Sequence, residues 1–188
     1  MNNTLAIFYA SLHGQAEKIA RRIGDVAAIH GANVVIFDVR DPAVAKFNAE
    51  NYAAAILVSS VHFGRHSRAA TTFVSRKLAA LSLISSGFVS VSGAAANLHG
   101  DEEAQRYLHR FLTATGWQPD STLSAAGAVP YSRYGFLTRK LMQFASRVAG
   151  RDSDASRDYE YTDWFAVEDF TRRFLTQANL LTKRAQAS

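Results

Sequence analysis

Short apolar runs alternate along this chain with segments in which apolar residues recur every three or four positions. The first run, Leu5–Phe8, predicts a buried strand, and the helical spacing that begins at Gln15 predicts a helix to about His30. Equivalent patterns continue to the end of the chain. The further predicted strands are Asn33–Val39, Tyr52–Ser60, Phe88–Ser92 and Thr122–Val129, and the further predicted helices are Ser67–Leu83, His99–Gly116 and Asp163–Leu181, with a short helical piece from Asp41 to about Phe47.

This alternation predicts an α/β protein, with a five-stranded parallel sheet covered by helices on both faces through right-handed crossovers. Tyr52–Ser60 is apolar almost throughout, as expected of a strand buried on both sides. Ligands of such sheets bind beyond the carboxyl ends of the strands. Because Ser11–Ala16, Ser60–Ser67 and Ser90–Asn97 follow the first, third and fourth strands, we expect these turns to meet at one edge of the sheet.

Length and composition favour a compact globular protein. The chain has 188 residues, 48% of them hydrophobic, and only three prolines. The absence of cysteine excludes disulfides, thiolate metal sites and cysteine nucleophiles. No charged leader precedes the first strand, and no apolar run reaches the roughly 18–20 residues of a membrane span. We therefore expect one cytoplasmic domain over residues 1–188.

The net charge of +5 is distributed unevenly. Neither Asn51–Gly100 nor Ser121–Arg151 contains an acidic residue, so these stretches suggest a face that meets phosphate, carboxylate, lipid headgroups or nucleic acid. A solvated surface without a partner is the alternative. The basic residues of the two stretches are Arg65, Arg68, Arg76, Lys77, Arg133, Arg139, Lys140, Arg147 and Arg151.

The turn after the first strand has the composition of an anion site. Ser11-Leu12-His13-Gly14 leads directly into a helix, whose first backbone N–H groups and dipole favour negative charge. The turn lacks both GxGxxG and GxxxxGK[ST], which argues against a dinucleotide fingerprint and a Walker A loop. A phosphate cradle of another kind and an ordinary strand–helix turn both remain open.

About thirty residues, 130–162, separate the fifth strand from the last helix, where a short connection would suffice. Within this insertion Phe136–Val148 has apolar residues at helical spacing and basic residues on its other sides. Such a helix could pack on the domain, lie on an anionic membrane surface or cover a ligand site.

Segments spread over nearly the whole chain resemble one family. They are Ser11-Leu12-His13-Gly14-Gln15, Ser60 with Phe63-Gly64, Ser90-Val91, Trp117-Gln118-Pro119-Asp120, Ala126-Gly127-Ala128, Tyr131-Ser132-Arg133-Tyr134, Gly150 with Asp154, and Tyr161-Thr162-Asp163-Trp164. In these segments the chain resembles the quinone-dependent protoporphyrinogen IX dehydrogenases of bacterial haem biosynthesis, FMN-binding members of the flavodoxin-like fold. The first turn is general to flavodoxins, whereas the WxPD, Tyr/Arg-rich and YTDW segments are more specific.

The resemblance implies a flavodoxin-like three-layer sandwich with strand order 2-1-3-4-5 and FMN where the strand order reverses. It implies FMN-dependent oxidation of protoporphyrinogen IX to protoporphyrin IX with a membrane quinone as acceptor. A lipid-soluble acceptor would give the helix at 136–148 a role in docking on the anionic cytoplasmic face of the inner membrane. The oligomeric state is left open, with a homo-oligomer as one alternative.

The resemblance also implies which residues form the site. The flavin itself carries the chemistry, so no catalytic side chain is assigned. Arginines would pair with the two propionates of the substrate, and Arg65, Arg133 and Arg139 are the candidates. The residues expected to bind the cofactor are Ser11, Leu12, His13, Gly14, Gln15 and Ala16 around the phosphate, and Ser60, Val61, His62, Phe63, Gly64, Ser90, Val91, Ser92 and Gly93 around the ring, with Phe63 packed against it.

The chain departs from the family pattern at several of these positions. The family usually has an acid in place of His13, a threonine in place of Ala16, and Arg-Tyr-Gly in place of His62-Phe63-Gly64. The missing threonine hydroxyl removes one hydrogen bond to a charged oxygen, commonly about 1.5–3 kcal/mol. A protonated His13 could offset part of that loss.

Other functions are less well supported by the residues. His62 and His66 are four residues apart but have no further metal-ligand residue near them in sequence, so no metal site is predicted. No GxSxG motif indicates a hydrolase, and no recognisable module indicates nucleic-acid binding. Two alternatives remain, a flavodoxin-like electron carrier without a porphyrin substrate and a flavin-free relative that acts as a binding module.

Overall fold

The computed structural model describes residues 2–96, 100–129 and 159–181. Helices and strands alternate through these residues as the hydrophobic pattern predicts. The strands are β1 Thr4–Ala10, β2 Asn33–Asp38, β3 Ala54–His62, β4 Arg65–His66, β5 Ser85–Ser92, β6 Ser121–Ala126, β7 Ala128–Val129 and β8 Tyr159–Glu160. The helices are α1 Gln15–Ile29, α2 Arg68–Leu81, α3 Asp101–Thr115 and α4 Trp164–Gln177, with short 3₁₀ helices at Pro42–Lys46, Ala49–Asn51 and Ala94–Ala96.

The main sheet has five parallel strands in the order β2-β1-β3-β5-β6. This is the predicted order 2-1-3-4-5, since β5 and β6 are the predicted fourth and fifth strands, and it is confirmed. The carboxyl ends of β1, β3 and β5 consequently lie side by side at one edge of the sheet. In addition, the two-residue strand β4 pairs antiparallel with the end of β3, and β7 pairs with β8 in a separate small ladder.

Alternate residues of the strands feed two hydrophobic layers, one on each face of the sheet. On β1, Leu5 and Ile7 join the layer that includes Ile19 of α1 and Phe174 of α4, all fully buried. Ala6 and Phe8 join the opposite layer, which includes residues of α2 and α3. The predicted three-layer arrangement is therefore confirmed, and it leaves the strand ends free to build a site.

Several element boundaries differ from the prediction. β5 begins at Ser85, not Phe88, because Ser86 and Gly87 continue the ladder with β3 where Ser85-Ser86-Gly87 suggested a turn. β3 extends to His62, which together with His66 lies in a strand, not in the loop that the sequence suggested. The predicted fifth strand, Thr122–Val129, is divided at Gly127, and its last two residues pair with β8.

Among the residues that the structure describes, no helix is both long enough and apolar enough to cross a membrane. Several predictions cannot be compared with the structure, because Arg133, Arg139 and the helix at Phe136–Val148 lie outside the described residues.

Candidate functional site

The turns after β1 and β3 meet at the carboxyl edge of the sheet. Ser60 at the end of β3 donates a hydrogen bond from its Oγ to the carbonyl oxygen of Ala10 at the end of β1, at 3.2 Å. The rings of His13 and His62 are in edge-to-face contact, with centroids 4.6 Å apart. A cavity of about 120 Å³ lies between the two turns, with Ser11 and His62 among its lining residues.

The first turn is a tight loop that opens into α1. The backbone N–H of Gly14 donates to Ser11 Oγ at 2.9 Å, and Gly14 takes a φ of 94°, a left-handed conformation that favours glycine. The N-cap residue of α1 is Gly14, which has no side chain to cap the helix. The backbone N–H groups at the start of a helix have no acceptor within the helix. The start of α1 can therefore hold an anion.

The β3–β4 hairpin projects at the same edge. His62 pairs with Arg65, so the connection has two residues, Phe63 and Gly64, and both have positive φ, 47° and 74°. This combination fits a type I′ hairpin turn, in which the second residue is ideally glycine but the first is usually Asn, Asp or Gly. The Phe63 side chain is 87% exposed at the tip, and Arg110 of α3 donates to the Gly64 carbonyl oxygen at 3.2 Å.

Two histidines of the hairpin are held in apolar surroundings. The ring of His66 lies within 3.0 Å of Ser59 Oγ through Nδ1 and within 3.2 Å of Ser90 Oγ through Nε2. Burial lowers the pKa of His66 to about 4 and also lowers the pKa of His62. The Nε2 atom of His62 is buried and has no hydrogen-bond partner among the described residues.

The end of β5 forms the third part of this edge. Ser90 and Val91 lie inside the strand and are paired with both β3 and β6. They are 1% and 2% exposed, so their side chains are buried in the protein. Ser92, the last residue of β5, accepts a hydrogen bond from Gly127 N–H at 2.9 Å. Gly93 is therefore the first residue of this predicted group that follows the sheet.

The remaining predicted residues occupy different environments. Leu12 is 63% exposed, whereas Gln15 and Ala16 are buried at the start of α1. Val61 pairs with His66 in the hairpin, and Arg65 is exposed in β4.

Sequence reasoning assigned no role to Thr162, which the structure places beside the first turn. Gln15 Nε2 donates to Thr162 Oγ1 at 2.8 Å, and Thr162 Oγ1 donates to the Ala126 carbonyl oxygen at 2.8 Å. All three residues are buried. The sequence signal that could have indicated Thr162 was the YTDW segment. This segment is specific to the family, but the sequence does not show which residues it contacts.

The fold and the site define a class of protein, that of flavodoxin-type α/β domains. The sequence matches the flavodoxin domain family over residues 6–156, and the chain belongs to this family. Solved structures agree with the fold. A short-chain flavodoxin associated with a PDU bacterial microcompartment superimposes with a TM-score of 0.58 at 14% identity, covering 93% of this chain and 98% of the other. A flavodoxin from Streptococcus pneumonia TIGR4 superimposes with a TM-score of 0.55 at 16% identity, covering 93% of this chain and 99% of the other.

Within that class, curated relatives carry one name. A protoporphyrinogen IX dehydrogenase [quinone] from Leishmania major is 30% identical over 173 residues, which are 92% of this chain and 73% of the relative. The protein of the same name from Escherichia coli K12 is 26% identical over 167 residues, 88% of this chain and 91% of the relative. The predicted resemblance is confirmed.

Membership of the flavodoxin family indicates FMN as the cofactor, and the residues present fit it. The start of α1 after Gly14 suits a phosphate, and no acidic residue occurs in Ser11–Ala16, Ser60–Ser67 or 90–96. At the same edge, the buried Nε2 of His62 has no partner among the described residues and can bond to a ligand. Ala16, where the family usually has a threonine, is fully buried in the core and supplies no hydroxyl.

Proposed function

We propose that this protein oxidises protoporphyrinogen IX to protoporphyrin IX, with FMN as cofactor and a quinone as electron acceptor. Two curated relatives of that name, which align with most of this chain, carry the proposal. Each pair of hydrogen atoms removed from the macrocycle, two electrons and two protons, reduces one quinone to a quinol. When bound, FMN supplies the hydride and electron transfer.

The residues of the chain hold and enclose the reacting groups. The first turn and the start of α1 bind the phosphate, with Gly14 allowing the close approach of the backbone. The β3–β4 hairpin and the end of β5 would border the flavin ring, with the exposed side chain of Phe63 available to pack against it. His66 contacts the hydroxyls of Ser59 and Ser90, which are paired neighbours on β3 and β5, and so anchors the hairpin to the sheet.

We propose further that the whole chain acts as one domain at the cytoplasmic surface of the membrane, with the sequence from 136 to 148 as its contact. A lipid-soluble quinone supports this proposal, because the acceptor must be reached in the bilayer. The basic and apolar residues of that segment match an anionic lipid surface. Placement in haem biosynthesis follows from the substrate.

The test uses the purified holoprotein. Under anaerobic conditions, protoporphyrinogen IX and a soluble quinone analogue should yield protoporphyrin fluorescence faster than without protein, and faster than with FMN alone. A yellow protein that reduces its flavin but does not oxidise the porphyrinogen would instead be an electron carrier. A protein that binds no FMN would contradict both functions.

Two glycines provide a matched pair of variants for the phosphate site. Gly14 and Gly31 both have left-handed backbone, with φ of 94° and 89°, so alanine strains each by about 1–2 kcal/mol. Gly31 is in the turn between α1 and β2, at the opposite end of the sheet. We expect Gly14→Ala to weaken FMN binding about tenfold or more in a flavin fluorescence titration, and Gly31→Ala to leave it unchanged. If Gly14→Ala and Gly31→Ala bind FMN with equal affinity, the turn at Gly14 does not contact the phosphate.

A further inference from the structure

A second and larger cavity lies beside the candidate site. It has a volume of about 600 Å³, within the range of small-molecule sites, and lies between α2 and the segment that runs from the end of β2 through the 3₁₀ helix at Pro42–Lys46. We call it the α2 pocket. Its apolar lining includes Val44 and Phe73, which are 5% and 4% exposed and continue into the core.

The walls of the α2 pocket are fixed by hydrogen bonds. Lys77 of α2 donates from Nζ to the carbonyl oxygens of Ala45 and Phe47, at 2.7 and 3.1 Å, and so ties the 3₁₀ helix to α2. Asp41 caps that 3₁₀ helix by accepting from Ala43 N–H at 2.7 Å. The cavity is therefore formed by two connected elements.

Two further cations of the pocket are available to a ligand. Arg68 and Arg76 lie on one side of α2, eight residues or about 12 Å apart along the axis, with Thr72 between them. Neither guanidinium is paired with a carboxylate within the described parts of the chain. Arg40, which also lines the pocket, is instead paired with Asp38. No acidic residue occupies the first turn of α2, so its positive end adds to the field.

The α2 pocket adjoins the candidate cofactor site. Val39, Arg40 and Ala69 line both the pocket and the small cavity that contains Ser11 and His62. A ligand anchored at α2 can therefore extend its body toward the edge where the turns of β1 and β3 meet. An apolar floor with two open guanidinium groups suits a flat, largely apolar dicarboxylic acid.

We propose that the α2 pocket binds the carboxylate edge of the tetrapyrrole, with Arg68 and Arg76 as its anion-binding residues. This inference rests on the proposed function and names a receptor for the two propionates. Arg65, one of the three arginines that the sequence suggested for the propionates, lies in the hairpin and does not line this pocket.

The test compares protoporphyrin IX with its dimethyl ester, which keeps the macrocycle and lacks both charges. In titrations of the FMN-loaded protein followed by porphyrin fluorescence, the acid should bind more tightly than the ester. The double variant Arg68→Gln/Arg76→Gln should bind the acid about tenfold more weakly and should bind the ester with unchanged affinity. The same variant should raise KM for protoporphyrinogen IX about tenfold with little change in kcat, and FMN affinity should not change.

Arg173→Gln is the matched control, because it removes an exposed cation from α4 on the other face of the sheet. It should bind acid and ester like the unmodified protein. Equal loss of acid binding in this control, no loss in the double variant, or loss only in Arg65→Gln would overturn the inference while leaving the proposed function intact. A protein that binds neither porphyrin would overturn the inference, and absence of turnover with normal discrimination between acid and ester would overturn the proposed function alone.

Discussion

His66 connects two strands of the sheet through both nitrogens of its ring. It lies between Ser59 of β3 and Ser90 of β5 and packs against Phe88 and Phe111, with ring centroids 5.3 and 4.8 Å away. A charged imidazolium in these surroundings would lose its hydration, which is why burial lowers the pKa. The residue is thus held neutral in the folded protein at pH 7.

Stability should therefore fall with acid because of this residue. The folded pKa of about 4 is below the ordinary 6.5, so the unfolded chain takes up the proton first. The contribution is fully present above pH 6.5 and is lost as the pH falls toward 4, by about 3 kcal/mol in total. In urea unfolding at several pH values, His66→Gln should lose less stability across this interval than the unmodified protein. Parallel curves would contradict the burial of a neutral imidazole.

At the scale of elements, the β3–β4 hairpin combines backbone strain with an exposed aromatic ring. A non-glycine residue in left-handed backbone costs on the order of 1–3 kcal/mol, and Phe63 gains little burial in return because its side chain is 87% exposed. The proposed FMN site would supply a reason, because the ring of Phe63 would be covered when FMN is bound. A binding role would then explain why both strain and exposure are tolerated at this residue.

Phe63→Asn separates the two effects. Asparagine is better suited than phenylalanine to a positive φ, so the FMN-free variant should be more stable by about 1 kcal/mol in urea unfolding. The same variant should bind FMN more weakly, because the ring contact is lost. Leu83→Asn, which removes another exposed apolar side chain at 78% exposure, should change neither quantity. A less stable Phe63→Asn protein would contradict the strain, and unchanged FMN affinity would contradict the contact.

For the molecule as a whole, one buried hydroxyl joins three parts that are distant in sequence. Thr162 precedes α4, accepts a hydrogen bond from Gln15 at the start of α1 and donates one to Ala126 at the end of β6. These contacts span 147 and 36 residues. Because Gln15 directly follows the first turn, Thr162 links the position of that turn to the residues that precede α4.

Thr162→Val keeps the shape of this side chain and removes both hydrogen bonds. We expect a loss of about 2 kcal/mol in the free energy of unfolding, since buried polar groups lose a partner. Thr162→Ser keeps the hydroxyl and should lose less than about 1 kcal/mol. FMN affinity should fall in the valine variant only. Equal stability of the two variants would show that the hydroxyl contributes nothing.

The sequence predicts the strands and helices that form the layers of this protein, because each of them depends on the spacing of apolar residues within one short segment. Leu5–Phe8 and the helical pattern from Gln15 are visible without neighbours, and the repeated alternation is compatible with few topologies. The turn at Gly14 is equally visible, because glycine there separates the apolar run from the helical spacing and can adopt the left-handed backbone that the turn has. The resemblance in the YTDW and WxPD segments then narrows the fold to one family.

Contacts between distant residues required the tertiary structure. The turn of the β3–β4 hairpin has Phe63 at a position where Asn, Asp or Gly is usual. No local signal therefore predicted the hairpin. The hydrogen bonds from Gln15 through Thr162 to Ala126, and the position of the 3₁₀ helix at Pro42–Lys46 opposite α2, depend on packing. They join segments whose separation in sequence carries no distance information. Local spacing by itself determined the order of strands and helices, whereas only the folded chain decided which side chains face one ligand.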